Sequence, residues 1–254
     1  MRRVADRYGS VVFDCDSTLS ALEGIDELAG PHRAEVERLT NAAMLGEIPL
    51  EAVYGRRLEL IRPTRAQVEA LAQQYIAALI PDARDAVMAL RRAGITVRVM
   101  SGGLRPAVVA LAAHIGIHDE DVGAMDVYFA ADDSYAGFDT ASPLARAGGK
   151  RHLLTEWRRE LRGPIMFVGD GATDLEAAPA ADLFVAFAGI VERPAVTAAA
   201  DVVVRACSLS PIVALALGAD DAIDPHVRTL LTRGRTLLQL PVSLTSATRD
   251  QTPR

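Results

Sequence analysis

Short apolar runs alternate along the chain with longer stretches whose apolar residues recur at helical spacing. The apolar runs are rich in β-branched residues, as buried strands are. They are SVVFDCDSTL (10–19), ITVRVMSGG (95–103), IMFVGDG (165–171), LFVAF (183–187) and DVVV (201–204). The helical stretches between them are 82–94, 102–116 and 150–161. This alternation predicts an α/β fold, in which a parallel sheet carries helices on both faces.

One long stretch interrupts this alternation. Between the first strand and the helix that begins near Pro81, three segments have helical character and none has a strong strand pattern; they are 22–30, 32–46 and 49–61. We therefore predict a helical insertion, a cap over residues 22–77, above a core made of 1–21 and 78–210.

Two further segments lie outside the regular pattern. Residues 125–139 alternate aromatic residues around ADDS, which predicts a small β-hairpin flap beside the same edge of the sheet. Residues 211–254 form a C-terminal extension with an amphipathic helix and a polar end that predicts a disordered tail. We expect the helix to pack on the core; self-association is the alternative.

Polar residues follow three of the predicted strands where each strand ends. Asp14 and Asp16 follow the first strand, Ser101 with its two glycines ends the second, and Asp170 ends the third. Because ligands bind at the carboxyl ends of parallel strands, these residues are predicted to meet in one site.

Two carboxylates one residue apart suit metal-assisted phosphoryl transfer. Asp14 would attack phosphorus, while Asp16 would exchange the proton of the leaving oxygen. Asp170 and Asp174 would complete an oxygen-rich magnesium site, and the Ser101 hydroxyl would bind phosphate. Each residue alone has a simpler interpretation, because acidic pairs in loops are often merely solvated, and Ser101 and Asp174 could cap helices.

Lys150 is the single lysine of the chain, beside 26 arginines. Its compact ammonium would offset the charge of a phosphate and of crowded aspartates where a guanidinium fork would be too wide. The alternative is codon bias, which would leave an occasional lysine without a function. The position of Lys150, directly after AGG and at a helix start, favours the chemical explanation.

Charge and composition narrow the class of protein. A net charge of −6 and an aromatic content of 5% argue against a nucleic-acid groove, so no nucleic-acid partner is expected. The apolar runs are too short to span a bilayer, and the N-terminus lacks a secretory signal pattern, which together predict a cytoplasmic protein without a membrane partner. Cys15 and Cys207 form no metal-binding pattern.

The motifs DCDST, SGG, GGK and GDGATD, in this order, resemble the four signature motifs of the haloacid dehalogenase superfamily of phosphotransferases. The resemblance is closer still to the phosphoserine-hydrolysing branch, runs from about Ser10 to Ser208, and implies a Rossmann-like core with a helical cap. It implies that Asp14 forms an aspartyl-phosphate and that Asp16 acts as acid and then as base. It places magnesium (Mg²⁺) on Asp14, Asp170 and the backbone carbonyl of Asp16, with Asp174 supporting the metal.

The same resemblance implies the substrate contacts. Ser101 and Lys150 would hold the phosphoryl oxygens, Glu23 the substrate ammonium and Arg57 the substrate carboxylate. The remaining pocket positions are Met44, Gly102, Gly103 and Thr173. The residues agree with this, since a phosphorylated amino acid needs one anionic and one cationic partner; taken singly, Glu23 could cap a helix and Arg57 could face solvent. Leu50 stands where the family commonly has phenylalanine, which predicts a looser pocket.

The leading hypothesis is magnesium-dependent hydrolysis of phosphoserine to serine and phosphate, the last step of serine biosynthesis, by a monomer or homodimer. A second hypothesis keeps the chemistry with another small phosphomonoester, such as phosphothreonine or phosphoethanolamine, or with an alcohol acceptor such as homoserine. A third is a non-catalytic sensor of phosphorylated amino acids, against which the complete set of motif residues argues.

Overall fold

The computed structural model describes residues 5–44, 48, 50–218 and 224–239, with the backbone alone at 40–44, 50 and 51. The strands are β1 (Ser10–Phe13), β2 (Thr96–Leu104), β3 (Val122–Met125), β4 (Val127–Phe129), β5 (Tyr135–Phe138), β6 (Ile165–Gly169), β7 (Leu183–Phe187) and β8 (Val202–Val204). The helices are α1 (Gly24–Leu28), α2 (Arg33–Met44), α3 (Leu50–Ile61), α4 (Arg65–Ala77), α5 (Ala83–Arg92), α6 (Arg105–His114), α7 (Gly149–Trp157), α8 (Ala172–Ala177), α9 (Pro194–Ala199), α10 (Ser210–Leu217) and α11 (Pro225–Gln239).

Six strands form one parallel sheet in the order β3-β2-β1-β6-β7-β8. The central strands β1, β6 and β7 are buried throughout, as expected when helices cover both faces. Successive residues of β1 face opposite sides, because Val11 and Phe13 belong to one apolar cluster and Val12 belongs to the other. The predicted α/β fold is confirmed.

The edge strand β3 was not predicted as a strand. It has four residues and includes Gly123, which has low strand propensity. Its conformation depends on pairing with β2 and on packing, since a Cβ atom at Gly123 would lie 2.8 Å from the side chain of Leu153. A local pattern does not record such a tertiary contact.

Four helices, α1 to α4, lie in the chain between β1 and α5, and a separate hairpin is formed by the antiparallel strands β4 and β5. The hairpin packs on these helices through aromatic contacts. The Arg65 guanidinium lies 4.8 Å from the ring centroid of Phe129, and the rings of Tyr54 and Phe138 meet edge to face at 5.3 Å. The hairpin and α3 therefore share an apolar contact beside the sheet edge.

The helix α11 packs against α10 and α5, with Val227, Leu230 and Leu231 buried. The polar segment 245–254, for which disorder is predicted, lies outside the described residues. Among the helices that the structure describes, none combines the length and the apolar content needed to cross a bilayer.

Candidate active site

The register of the sheet brings the predicted strand-end residues to one edge. Phe13, the last residue of β1, lies opposite Val99 of β2 and Val168 of β6. The backbone N–H of Asp14 continues the ladder by donating to the carbonyl of Val168 at 2.8 Å. Asp14 therefore lies level with the end of β6, and Asp170 directly follows the last residue of that strand.

Three carboxylates meet at this edge. Asp14, Asp170 and Asp174 each offer one oxygen within 4.8 Å of the others, and they are 5%, 4% and 0% exposed. Burial, followed by the charge of Asp174, raises the pKa of Asp14 well above its ordinary value. The same two causes raise the pKa of Asp170 to about 7. The cluster thus holds more negative charge than its surroundings readily accommodate.

Lys150 contributes a cation to this cluster. Its Nζ donates to Oδ1 of Asp14 at 2.7 Å and to Oδ1 of Asp174 at 2.6 Å, and the side chain is 8% exposed. Burial lowers the pKa of Lys150, but attraction to the two carboxylates outweighs burial and leaves that pKa raised. The two carboxylates therefore favour the charged form of the ammonium.

The two positions before Lys150 favour glycine for steric reasons. Gly148 has a φ of 71°, in the left-handed region that favours glycine. A Cβ atom at Gly149 would lie 1.9 Å from the carbonyl oxygen of Pro143. The AGG sequence therefore lets α7 start close to the preceding turn and place Lys150 in the first turn of the helix.

The carboxylate of Asp16 takes part in a different set of contacts. Its Oδ1 accepts from the hydroxyl of Tyr75 at 2.6 Å and from the backbone N–H of Gly24 at 2.7 Å. Its Oδ2 accepts from the hydroxyl of Ser101 at 3.2 Å. Asp16 is thus held by α1, α4 and β2, so Asp14 and Asp16 occupy different chemical environments although one residue separates them.

Ser101 is fully buried at the end of β2. Its Oγ accepts from the backbone N–H of Gly103 at 2.9 Å while donating to Asp16. This pair of bonds holds the glycine segment close to Asp16. The helix that follows begins at Arg105, so Ser101 lies within the strand and does not cap α6.

Glu23 lies beside the cluster, at the start of α1. Its Oε1 accepts from the hydroxyl of Ser17 and from the guanidinium of Arg193, both at 2.8 Å. The same Arg193 nitrogen lies 3.1 Å from Oδ2 of Asp170. Burial, followed by the charge of Asp16, raises the pKa of Glu23. Arg193 therefore connects the helical segment to the carboxylate cluster.

A cavity of about 220 Å³ lies beside the carboxylate cluster and is also lined by Asp16, Lys150 and Arg193. Ser101 and Tyr75 are fully buried and are not among its lining residues. The cavity is smaller than the ~300–1,000 Å³ clefts that hold drug-sized ligands, and so fits a small metabolite. Of the predicted pocket residues outside the carboxylate cluster, the following line it: Glu23, Arg57, Gly102, Gly103 and Thr173. Met44 ends α2 and Leu50 begins α3, but their side chains lie outside the described part of the chain.

The sequence analysis did not identify three residues of the site. Arg193 follows β7 in a loop on the same sheet edge, and that position was the available signal. Tyr75 and Tyr54 resemble ordinary apolar positions of amphipathic helices, and both are buried. Their hydroxyls contact Asp16 and the carbonyl of Gly102 because α3 and α4 fold over the sheet edge.

The cluster fits a divalent cation. Oδ2 of Asp170 is buried and makes no hydrogen bond within the described residues, even though Arg193 lies near it. The Arg193 guanidinium offsets part of its charge, but buried polar atoms in folded proteins normally also have a hydrogen bond, and this oxygen has none among the described residues. Carboxylate oxygens are also the ligands that hard divalent cations prefer. A bound cation would therefore relieve both the repulsion within the cluster and the unsatisfied oxygen.

Comparison with known proteins extends this chemical description. The family model for haloacid dehalogenase-like hydrolases matches residues 8–182. The chain is 40% identical to the phosphoserine phosphatase of Bos taurus over 187 residues, covering 72% of this chain and 83% of that protein. It is 38% identical to the phosphoserine phosphatase of Homo sapiens over 196 residues, covering 76% and 87%.

A solved structure agrees with these relatives. A phospho-aspartyl intermediate analogue of phosphoserine phosphatase superposes with a TM-score of 0.67 and 26% identity, covering 81% of this chain and 97% of that one. The family resemblance of the four motifs is thus confirmed by the matched residues and by the fold. The chain belongs to the haloacid dehalogenase-like hydrolase family.

Proposed function

We propose that the protein is a magnesium-dependent phosphatase that hydrolyses O-phospho-L-serine to L-serine and phosphate. The observation that carries the proposal is the division of labour between neighbouring aspartates. Asp14 lies in a buried carboxylate cluster bridged by Lys150, while Asp16 is held apart by Tyr75, Gly24 and Ser101. The names of the similar proteins supply the substrate.

Asp14 and Asp16 would perform the two halves of the reaction. In the first, a carboxylate oxygen of Asp14 attacks phosphorus, the ester P–O bond breaks, and the serine oxygen takes a proton from Asp16. In the second, water attacks the aspartyl-phosphate, Asp16 takes the water proton, and the bond between Asp14 and phosphorus breaks. Asp16 thus returns to its protonated form.

The metal would be held by Asp14, Asp170 and the backbone carbonyl of Asp16. When bound, magnesium supplies positive charge that stabilises the phosphoryl oxygens. Asp174 would support the site from behind, because its Oδ1 already accepts from Lys150 and its Oδ2 accepts from the N–H of Gly171 at 2.9 Å. Both roles suggested by the sequence for Asp174, at a helix start and at the metal, are thus compatible.

Substrate recognition would be divided between sheet and helices. Ser101, Lys150 and the amides of Gly102 and Gly103 would face the phosphoryl group. Glu23 would bind the substrate ammonium, displacing part of its contact with Arg193, and Arg57 would bind the carboxylate. The further pocket positions proposed here are Met44 and Thr173.

The core would comprise residues 1–21 and 78–210, the cap 22–77 and the C-terminal extension 211–254. Closure of the cap and of the hairpin flap would exclude bulk water during the first transfer. We place the enzyme in the cytoplasm, as a monomer or homodimer, at the last step of serine biosynthesis. Light scattering after gel filtration distinguishes the two assemblies.

The decisive experiment measures phosphate release from phosphoserine by the purified protein with and without Mg²⁺. We expect magnesium-dependent turnover that Asp14→Asn abolishes and that the exposed-site control Asp132→Asn leaves intact. Near-normal turnover by Asp14→Asn contradicts the mechanism. A panel with phosphothreonine and phosphoethanolamine tests the substrate, since equal turnover of phosphoethanolamine contradicts the role given to Arg57.

A further inference from the structure

Tyr54 lies where three parts of the molecule meet. It is 5% exposed, belongs to α3, and lines the cavity. Its hydroxyl donates to the carbonyl oxygen of Gly102 at 2.9 Å. This hydrogen bond ties α3 directly to the Ser101–Gly103 segment, which is proposed to face the phosphoryl group.

The ring of Tyr54 makes a second pair of contacts. The ring of Phe138, from the hairpin, meets it edge to face with an interplanar angle of 62°. The guanidinium carbon of Arg57 lies 5.8 Å from the Tyr54 ring centroid. Residues three apart share a helix face, and a guanidinium at this distance from an aromatic ring is attracted by it.

The position of Tyr54 on its helix relates it to Leu50, the residue that departs from the family pattern. The two are four residues apart in α3, so they occupy one face of the helix. The helix thus has an aromatic residue, Tyr54, one turn after the position at which the family commonly has phenylalanine. The position after Tyr54 is glycine, and a Cβ atom there would be in ordinary contact with Phe138 at 3.5 Å, so the hairpin packs closely on this turn.

We propose that Tyr54 is a positioning residue that sets the selectivity of the site for substrates bearing a carboxylate. Its ring holds the Arg57 guanidinium in place, and its hydroxyl fixes the distance between that guanidinium and the phosphate end of the cavity. The inference rests on the proposed function, because it assumes that Arg57 binds the substrate carboxylate.

Two substitutions separate the ring from the hydroxyl. Tyr54→Phe keeps the ring and removes the donor to Gly102, so it should reduce turnover of all phosphomonoesters to a similar degree. Tyr54→Leu removes this donor as well, so comparison with Tyr54→Phe isolates the ring; beyond Tyr54→Phe, it loses the contact between the ring and the Arg57 guanidinium. It should therefore weaken the binding of carboxylate-bearing substrates in particular.

The experiment compares kcat and KM for phosphoserine and phosphoethanolamine in the full-length enzyme with Mg²⁺. For Tyr54→Leu we expect KM for phosphoserine to rise by roughly 5- to 30-fold, the loss equivalent to a cation–π contact. KM for phosphoethanolamine, which lacks the carboxylate, should stay within about twofold. A merely structural role would instead impair both substrates alike.

The controls are Tyr128→Phe and Tyr128→Leu, at a tyrosine of the hairpin that is 50% exposed and does not line the cavity. They should match wild type with both substrates. If Tyr54→Leu does not fold, Tyr54→Met provides a flexible apolar side chain of similar length without a ring and should give the same split.

The outcomes distinguish this inference from the proposed function. A wild-type enzyme that does not hydrolyse phosphoserine, or does not prefer it to phosphoethanolamine, overturns the function proposed for the site. A selective wild-type enzyme whose selectivity is unchanged in Tyr54→Leu and Tyr54→Met overturns the role of Tyr54 alone. A rise in KM that is equal for both substrates in Tyr54→Leu also overturns that role.

Discussion

At the scale of single residues, Lys150 decides the electrostatics of the site. It places one ammonium between Asp14 and Asp174, which would otherwise repel each other in a buried environment. Separating such a buried ion pair is costly, because each charge left alone lacks solvent. The choice of lysine over arginine in a chain otherwise devoid of lysine therefore has a geometric explanation: both acceptors lie within 2.7 Å of one nitrogen.

Lys150→Arg should accordingly lower kcat by about a hundredfold or more, the scale on which a displaced charge-stabilising donor acts. The guanidinium retains the charge but is too wide for a position enclosed by Asp14 and Asp174. Steady-state phosphate release measures the effect. The adjacent exposed residue offers a matched control, since Arg151→Lys should have wild-type activity. A fully active Lys150→Arg would leave codon bias as the explanation for the single lysine.

As a proposed metal ligand, Asp170 would make metal binding depend on pH. Its pKa of about 7 means that a proton competes with the metal below neutrality. We expect the affinity for Mg²⁺ to fall by up to about tenfold for each pH unit below 7, and to level off above it. Isothermal titration calorimetry at pH 6 and pH 8, in buffers of different ionisation enthalpy, measures affinity and proton release together.

The same pKa fixes the sign of the effect on stability. The folded form binds the Asp170 proton more tightly than the unfolded chain does, so protonation of Asp170 stabilises the fold. This stabilisation is present below about pH 4 and is lost as the pH rises through 7. Metal-free protein should therefore gain most from Mg²⁺ above pH 7. An affinity that is equal at pH 6 and pH 8 would contradict the assignment of Asp170 as a titrating ligand.

At the scale of elements, contacts between distant segments set the limit of sequence-based prediction. β6 was predictable because an apolar run ends in Gly-Asp, and α7 because its apolar spacing follows two glycines. The start of α4 also has a local signal, the capping box of Thr64 and Gln67, although the sequence analysis did not use it. Arg193 differs, because its contact with Glu23 joins residues 170 positions apart.

Asp82 is a second case in which only the folded chain reveals the partner. It precedes α5, where an aspartate would ordinarily cap its own helix, yet it makes no side-chain cap there. Its carboxylate instead accepts from the N–H groups of Leu209 and Ser210, at 2.8 and 3.2 Å, at the start of α10. Residue type and spacing indicated a helix start near Asp82, and the tertiary structure determines which helix it stabilises.

At the scale of the whole molecule, the candidate active site and the C-terminal helices α10 and α11 lie in different regions. The cavity lies at the carboxyl edge of the sheet, and its lining includes none of the described residues of α10 or α11. Those two helices follow the last residue matched by the family model, and α11 adds Val227, Leu230 and Leu231 to the larger apolar cluster. We infer that α11 contributes to the stability of the fold and takes no direct part in the reaction.

The packing of α11 can be tested by comparing a glycine-to-alanine substitution in α11 with one in α3. A Cβ atom at Gly234 would lie 2.0 Å from the carbonyl oxygen of Ser210, so Gly234→Ala must shift α11 and should lower the free energy of unfolding by about 1–3 kcal/mol. Gly55→Ala in α3 meets only an ordinary contact with Phe138 and should raise it by up to about 1 kcal/mol. Urea denaturation measures both as shifts of the midpoint at constant slope. Gly234→Ala should keep wild-type turnover in the absence of urea, and equal stabilisation by both substitutions would mean that α11 does not dock closely on α10.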